Sequence, residues 1–189
     1  MTSIRDVLPV ELIAGVSIVL GLTTGVGYLS YYFLGEDVNK TRVKKKDIDN
    51  DDNVMTGMFQ QTSTENYKDL LAELGYNYLI RQALTLSPLV QEVSDTDGVW
   101  TIKTITALLS YKIEFRIGEE LDYTWRDGRE VKVLFTMEND NRLVSVHMAK
   151  RKGKKSVKIV REFTEDGLVQ TTTIVGNDDF VCVMKFKRI

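Results

Sequence analysis

The stretch VKIVREFTEDGLVQTTTIVGN, residues 157–177, decides the fold. Apolar and polar residues alternate on both sides of Asp166-Gly167, and Gly176-Asn177 closes the second run. A period of two marks a strand with one covered face, and an Asp-Gly pair between two such runs marks a tight hairpin. Ile159, Arg161 and Phe163 therefore share one face of the first strand. Working outward, turn signals recur at Asp97-Gly98, Gly118, Asp127-Gly128, Asn139 to Asn141 and Gly153. They delimit nine strands, and a tenth opens at Gly57. That many strands in about 135 residues predict a closed sheet, because closure removes exposed edges and leaves space for one small ligand.

Between the first strand and the rest lie two short helical stretches, residues 66–74 and 77–85. Tyr67, Leu70, Leu71 and Leu74 form one face of the first, and Tyr78, Ile80 and Leu84 are the apolar positions of the second. Gly75 separates them and Ser87-Pro88 ends the second. The expected architecture is mainly β: a ten-stranded antiparallel up-and-down β-barrel with a helix-turn-helix lid, over residues 55–189.

Charge and cysteine content narrow the function. Lys and Arg number 25 against 27 Asp and Glu, so no global excess points to nucleic acid as a partner. Cys182 is the one cysteine, which excludes an intramolecular disulfide or a cysteine zinc site and suits a reducing compartment. Neither a phosphate-binding glycine loop nor a catalytic dyad nor a metal-ligand cluster stands out, so no enzyme activity and no cofactor are expected. His147, on the opposite strand face from Val146 and Met148, reads as an ordinary surface histidine, and Cys182 as core.

The first 54 residues are of another kind. Residues 12–34 are 23 positions without a charge, bounded by Glu11 and Glu36, long enough for a transmembrane helix across a ~30 Å hydrocarbon core. Tyr28, Tyr31, Tyr32 and Phe33 suit the membrane interface, and Lys40, Arg42, Lys44, Lys45 and Lys46 place the following side in the cytosol or the mitochondrial matrix. The expectation is a single-pass membrane protein with its barrel on that side. Its alternative is secretion after signal cleavage, which Asp6, Glu11 and the lack of a small-residue cleavage site argue against. Ser17, Gly21 and Gly25 would allow a homodimer through this helix, although glycine is common in membrane helices anyway. Residues 35–54, a basic block and then Asp47, Asp49, Asp51 and Asp52, read as a charged linker.

Several motifs occur together and in order: Gly57-Met58-Phe59, Ser63 to Tyr67, Leu74-Gly75, Lys112 to Asp122, Asp127-Gly128-Arg129, Ile159 to Phe163 and Val181-Cys182-Val183. In this, residues 57–189 resemble the intracellular lipid-binding proteins of the calycin superfamily, the fatty-acid and retinoid carriers. The resemblance implies an internal cavity where a fatty-acid carboxylate meets two arginines and a tyrosine. By position the first arginine is Arg161, whereas Met184 and Phe186 stand where the second arginine and the tyrosine belong. The implied ligand site comprises Arg161, Met184 and Phe186 with Tyr67, Phe115, Ile159 and Phe163. Some relatives hold their ligand mainly through the one arginine, which keeps a fatty acid in view. Methionine and phenylalanine make the cavity more apolar, so a weaker acid preference or a neutral lipid also fits.

The resemblance places a portal at the lid end. There Leu108 and Leu109, with Ala107, supply an apolar tip, and Lys150, Arg151, Lys152, Lys154 and Lys155 a basic one. Basic groups beside an anionic bilayer attract headgroups at ~1 kcal/mol each, so this rim is a candidate membrane contact. The bland alternative is a solvated hairpin end. The leading expectation is thus non-catalytic binding and carriage of a long-chain fatty acid or similar lipid in a membrane-tethered barrel. The alternative is an anchored scaffold or accessory subunit whose barrel has lost ligand binding.

Overall fold

In the computed structural model, residues 53–106, 110–125 and 127–189 are described. The expected membrane segment, the charged linker up to residue 52, and the portal residues Leu108 and Leu109 lie outside them. Among the described residues no helix is long and apolar enough to cross a membrane.

The chain runs β1 (Gly57–Glu65), α1 (Tyr67–Glu73), α2 (Tyr78–Leu86), β2 (Val90–Thr96), β3 (Val99–Ile105), β4 (Ser110–Phe115), β5 (Glu120–Thr124), β6 (Glu130–Asn139), β7 (Arg142–Ala149), β8 (Val157–Thr164), β9 (Gly167–Ile174) and β10 (Asn177–Arg188). All ten strands form one antiparallel sheet in the order β4-β3-β2-β1-β10-β9-β8-β7-β6-β5. Sequential neighbours pair everywhere except between β4 and β5, and β1 pairs with β10, so the sheet rolls into a nearly closed barrel. Across the open seam the Tyr123 hydroxyl donates to the Lys112 carbonyl at 3.1 Å.

Local chemistry sets the register. The β2–β3 hairpin turns on Asp97 at φ 53° and Gly98 at φ 76°, the doubly positive pair that matches the twist of its flanking strands. At the start of β9 a side chain on Gly167 would collide with the Phe186 backbone, so only glycine lets β9 and β10 approach there. Asn77 caps α2 by accepting from the Ile80 amide at 3.0 Å. Asn66 instead donates to the Val181 carbonyl at 2.9 Å, which ties the start of α1 to β10. Arg188 bonds the carbonyls of Glu165, Thr56 and Val54 and lies over the Phe59 ring, fastening the last strand to the first.

Alternation puts one side of each strand inside, and that inside is stratified. At the end away from the helices, Phe59, Val93, Ile102, Phe135, Leu143, Phe163 and Leu168 are buried together, Phe59 edge-on to Phe163 at 5.5 Å. One inward position nearer the helices, most of these strands change character. Val93 gives way to Gln91, Ile102 to Thr104, Leu143 to Ser145, Phe163 to Arg161 and Leu168 to Gln170, every one of them buried. Above this belt α1 contributes Leu70 and Leu71, and α2 contributes Leu84.

Candidate functional site

The polar belt is the candidate site, and strand pairing assembles it. Arg161 on β8 lies opposite Gln170 on β9, which lies opposite Met184 on β10. The next row toward the floor is Phe163, Leu168 and Phe186. Gln91 reaches from β2, its amide donating to the Gln170 carbonyl oxygen at 2.8 Å. Arg161 donates to Gln91 Oε1 and to Ser145 Oγ, both at 3.4 Å, and Ser145 Oγ lies 3.1 Å from His147 Nε2. A chain of polar contacts thus runs Gln170, Gln91, Arg161, Ser145, His147.

The electrostatics of the belt follow from burial. Arg161 is 7% exposed, and among the described residues no carboxylate lies within ion-pair distance of it. Burial pulls its pKa down to about 10, opposed by Tyr111, so the guanidinium remains charged at neutral pH. Its two bonds to neutral groups are long and therefore weak. A buried cation so served carries a desolvation cost of several kcal/mol that a bidentate carboxylate would offset. Tyr111, hydrogen-bonded by Thr104, is itself pushed up by burial and stays a neutral phenol. His147 is depressed to about 3, first by burial and then by Arg161 and Arg129, so its imidazole is uncharged.

His147 corrects the sequence-based expectation of a surface histidine, since it is 3% exposed. The alternation holds but its sides are exchanged: Leu143, Ser145 and His147 face inward, while Met148 is 47% exposed. Its ring stacks on Trp125 at 5.4 Å and meets Phe135 edge-on at 6.1 Å. Gln91, Ser145 and Gln170 are further inward polar residues that the sequence analysis does not name, although each lies two residues from a buried apolar residue of its own strand, Val93, Leu143 and Leu168. That position was the signal available.

The other expected site residues are placed as follows. Ile159, Met184 and Phe186 are buried on inward faces, with Cys182 on the same face as the last two. Phe115 stacks on Phe135 with ring centroids 3.5 Å apart. Tyr67 is partly buried and packs on the core from α1. The structure brings Arg161 and Met184 into one row through Gln170, and Phe163 and Phe186 into the next; Phe115 and Tyr67 belong to other parts of the interior. The basic rim is less free than the sequence suggests. Lys150 pairs with Asp122 at 2.8 Å, Arg151 with Glu130 at 3.6 Å, and Lys155 with Glu73 of α1 at 3.7 Å. Lys152 and Lys154 are exposed and form no ion pair with a described residue.

At the same end, Arg129 on the β5–β6 turn bonds Asp127 at 2.7 Å and donates to the Tyr76 hydroxyl at 3.1 Å. Tyr76 sits in the link between α1 and α2 and donates in turn to Asp127, whose carboxyl is held low despite its burial by Tyr76 and Arg129. The helices are latched to the barrel by this triangle. Among the described residues no group of three or more His, Cys, Asp or Glu could hold a metal.

Comparison with known proteins places this geometry. Residues 56–185 match the model of the lipocalin / cytosolic fatty-acid binding protein family. The fatty acid-binding protein of Tyrophagus putrescentiae is 40% identical over 123 residues, 65% of this chain and 90% of that protein. Cellular retinoic acid-binding protein 2 of Bos taurus is 35% identical over 138 residues, covering 70% of this chain and 96% of its own. Among solved structures, the fatty acid-binding protein of Drosophila melanogaster brain superimposes with a TM-score of 0.62 at 30% identity, over 70% of this chain and 98% of that one.

Proposed function

Because the chain belongs to the lipocalin / cytosolic fatty-acid binding protein family, we propose that its barrel carries a long-chain fatty acid or similar hydrophobic acid, unchanged chemically, with the carboxylate on Arg161. The observation that carries this reading is the buried guanidinium itself, charged, with two weak neutral bonds and no acid among the described residues in ion-pair range. The relatives named above are called fatty acid- and retinoic acid-binding proteins, and both ligands are carboxylic acids with apolar tails. Gln91 and Gln170 hold the guanidinium's surroundings polar, while Met184, Phe186, Ile159, Phe163, Phe115 and Tyr67 are the apolar surface offered to the tail. With Met184 and Phe186 in the last strand, the carboxylate would be gripped from the Arg161 side alone.

The proposal includes a membrane tether through residues 12–34, with the barrel on the cytosolic or matrix side and loading at the lid end. Lys152 and Lys154 are the cations best placed to meet anionic lipid, since their neighbours already have acidic partners. Vesicle binding that ignores both anionic lipid content and salt would remove that part of the reading.

Displacement of a fluorescent fatty acid by oleate from the full-length chain tests the central claim. Micromolar or tighter displacement, weakened in Arg161→Ala, is the expected result. Absence of any lipid binding would leave the scaffold reading in its place.

A further inference from the structure

The belt holds one polar atom that no described residue uses. His147 Nδ1 is buried without a hydrogen-bond partner among the described residues, although its ring is fixed by Ser145 on one side and by Trp125 and Phe135 on others. Buried polar atoms left unpaired are rare and costly, so such an atom needs an explanation.

Counting protons at Ser145 identifies what kind of atom it is. Arg161 can only donate, so one lone pair of Ser145 Oγ is engaged by the guanidinium. The Ser145 hydroxyl is 0% exposed and must place its own proton somewhere. If it donates to His147 Nε2, the hydroxyl is fully used and a single orphan remains, an N–H at Nδ1. If Nε2 instead donates to Ser145, two orphans remain: the serine proton and a bare lone pair at Nδ1. The first arrangement satisfies more groups and fixes the neutral ring as its Nδ1–H tautomer.

We propose that His147 Nδ1–H is a second polar subsite, which selects acyl ligands bearing an oxygen acceptor, a hydroxyl or a keto group, near the carboxyl end. This rests on the reading that Arg161 holds a ligand carboxylate. The guanidinium and the imidazole reach the same hydroxyl, and Nδ1 leaves the ring on the side away from it, so a chain whose carboxylate lies on Arg161 meets Nδ1 several methylenes further along. The rings of Trp125 and Phe135 flank the imidazole and supply no acceptor oxygen, which leaves the guest to supply it. An unsubstituted acyl chain keeps the donor unpaired; an oxygenated one relieves it. A site built to bond such a group discriminates against the analogue that lacks it.

The experiment compares displacement of one fluorescent probe from the full-length chain by palmitate, δ-hydroxypalmitate and ω-hydroxypalmitate. The expected order is δ-hydroxypalmitate about tenfold tighter than palmitate, with the ω isomer showing no gain. His147→Phe should abolish the ratio between the δ-hydroxy acid and palmitate, and His147→Gln, which keeps a donor, should restore part of it. Nitrogen-15 NMR of the labelled imidazole should show the proton on Nδ1. Equal affinity for palmitate and its δ-hydroxy derivative, a preference that survives His147→Phe, or a proton on Nε2 each overturns the subsite. If palmitate binds without a preference, only the subsite falls; if no acid binds, the carrier reading falls with it.

Discussion

The floor of the barrel and the belt above it are built from the same strands and obey opposite rules. On β8 the two are separated by one inward step, from Phe163 to Arg161. On β9 the step is Leu168 to Gln170, and on β7 it is Leu143 to Ser145. The floor is packed ring on ring and contributes stability in proportion to the apolar area it hides. The belt hides a guanidinium whose bonds are long and an imidazole nitrogen with no described partner, a condition that costs stability and makes sense only through what it can bind. A strand can therefore be asked, position by position, whether it serves folding or recognition.

The strongest test of that division is truncation of the floor. Phe163→Ala removes a fully buried ring packed on Phe59 and should cost about 3–5 kcal/mol in urea unfolding. A loss below ~1 kcal/mol would mean that the floor is not the stabilising layer.

Acid comes next. The folded-state pKa of His147 is depressed to about 3 from 6.5, so between those values the unfolded chain binds the proton and the folded one does not. Its contribution is fully present above pH 6.5 and is lost as pH falls toward 3, amounting to roughly 3 kcal/mol at about pH 4. Urea midpoints should fall less steeply with acid in His147→Gln than in the unaltered chain. Parallel slopes would return His147 to the surface.

Arg161→Met separates the layers in a third way. Ligand affinity should fall by about 2 kcal/mol, roughly thirtyfold, while the ligand-free barrel loses no stability or gains some, because a desolvated charge has been removed. Paired calorimetry and probe displacement would show it; a destabilised barrel with intact binding would make Arg161 a structural residue.

The smallest effect belongs to the upper boundary of the belt. Tyr76→Phe removes the hydroxyl shared by Arg129 and Asp127 and should release about 1 kcal/mol of lid attachment. Faster amide exchange confined to α1 and α2 is the expected signature. Uniformly faster exchange would mean that the helices and barrel open as one unit.

The same division explains what could be read from the sequence. Strand number, both helices and the hairpin turns were legible, because apolar alternation and turn residues such as Asp97-Gly98 report local physics. Arg161 was legible because Ile159 and Phe163 flank it on its face. His147 was not, because its inward neighbour Ser145 is also polar and β7 carries apolar Val144 and Val146 on the other face. Where the inside of a barrel is polar, periodicity says that two faces exist but not which is which. The contacts of Gln91 with Gln170 and Arg161 join strands far apart in the chain, and only closure of the sheet brings them together.

The seam between β4 and β5 has a mechanical consequence. A cylinder whose wall is hydrogen-bonded all the way round can widen only by breaking ladder bonds. This one is a split ring: its two lips are held by the Tyr123–Lys112 hydrogen bond and the contact of Tyr111 with Trp125. Its bore can flex at the cost of side-chain contacts while every paired strand keeps its partner. Girth is thus an adjustable dimension of the barrel, and on the proposed reading straight, bent or substituted chains would be taken up by one wall without unfolding any of it.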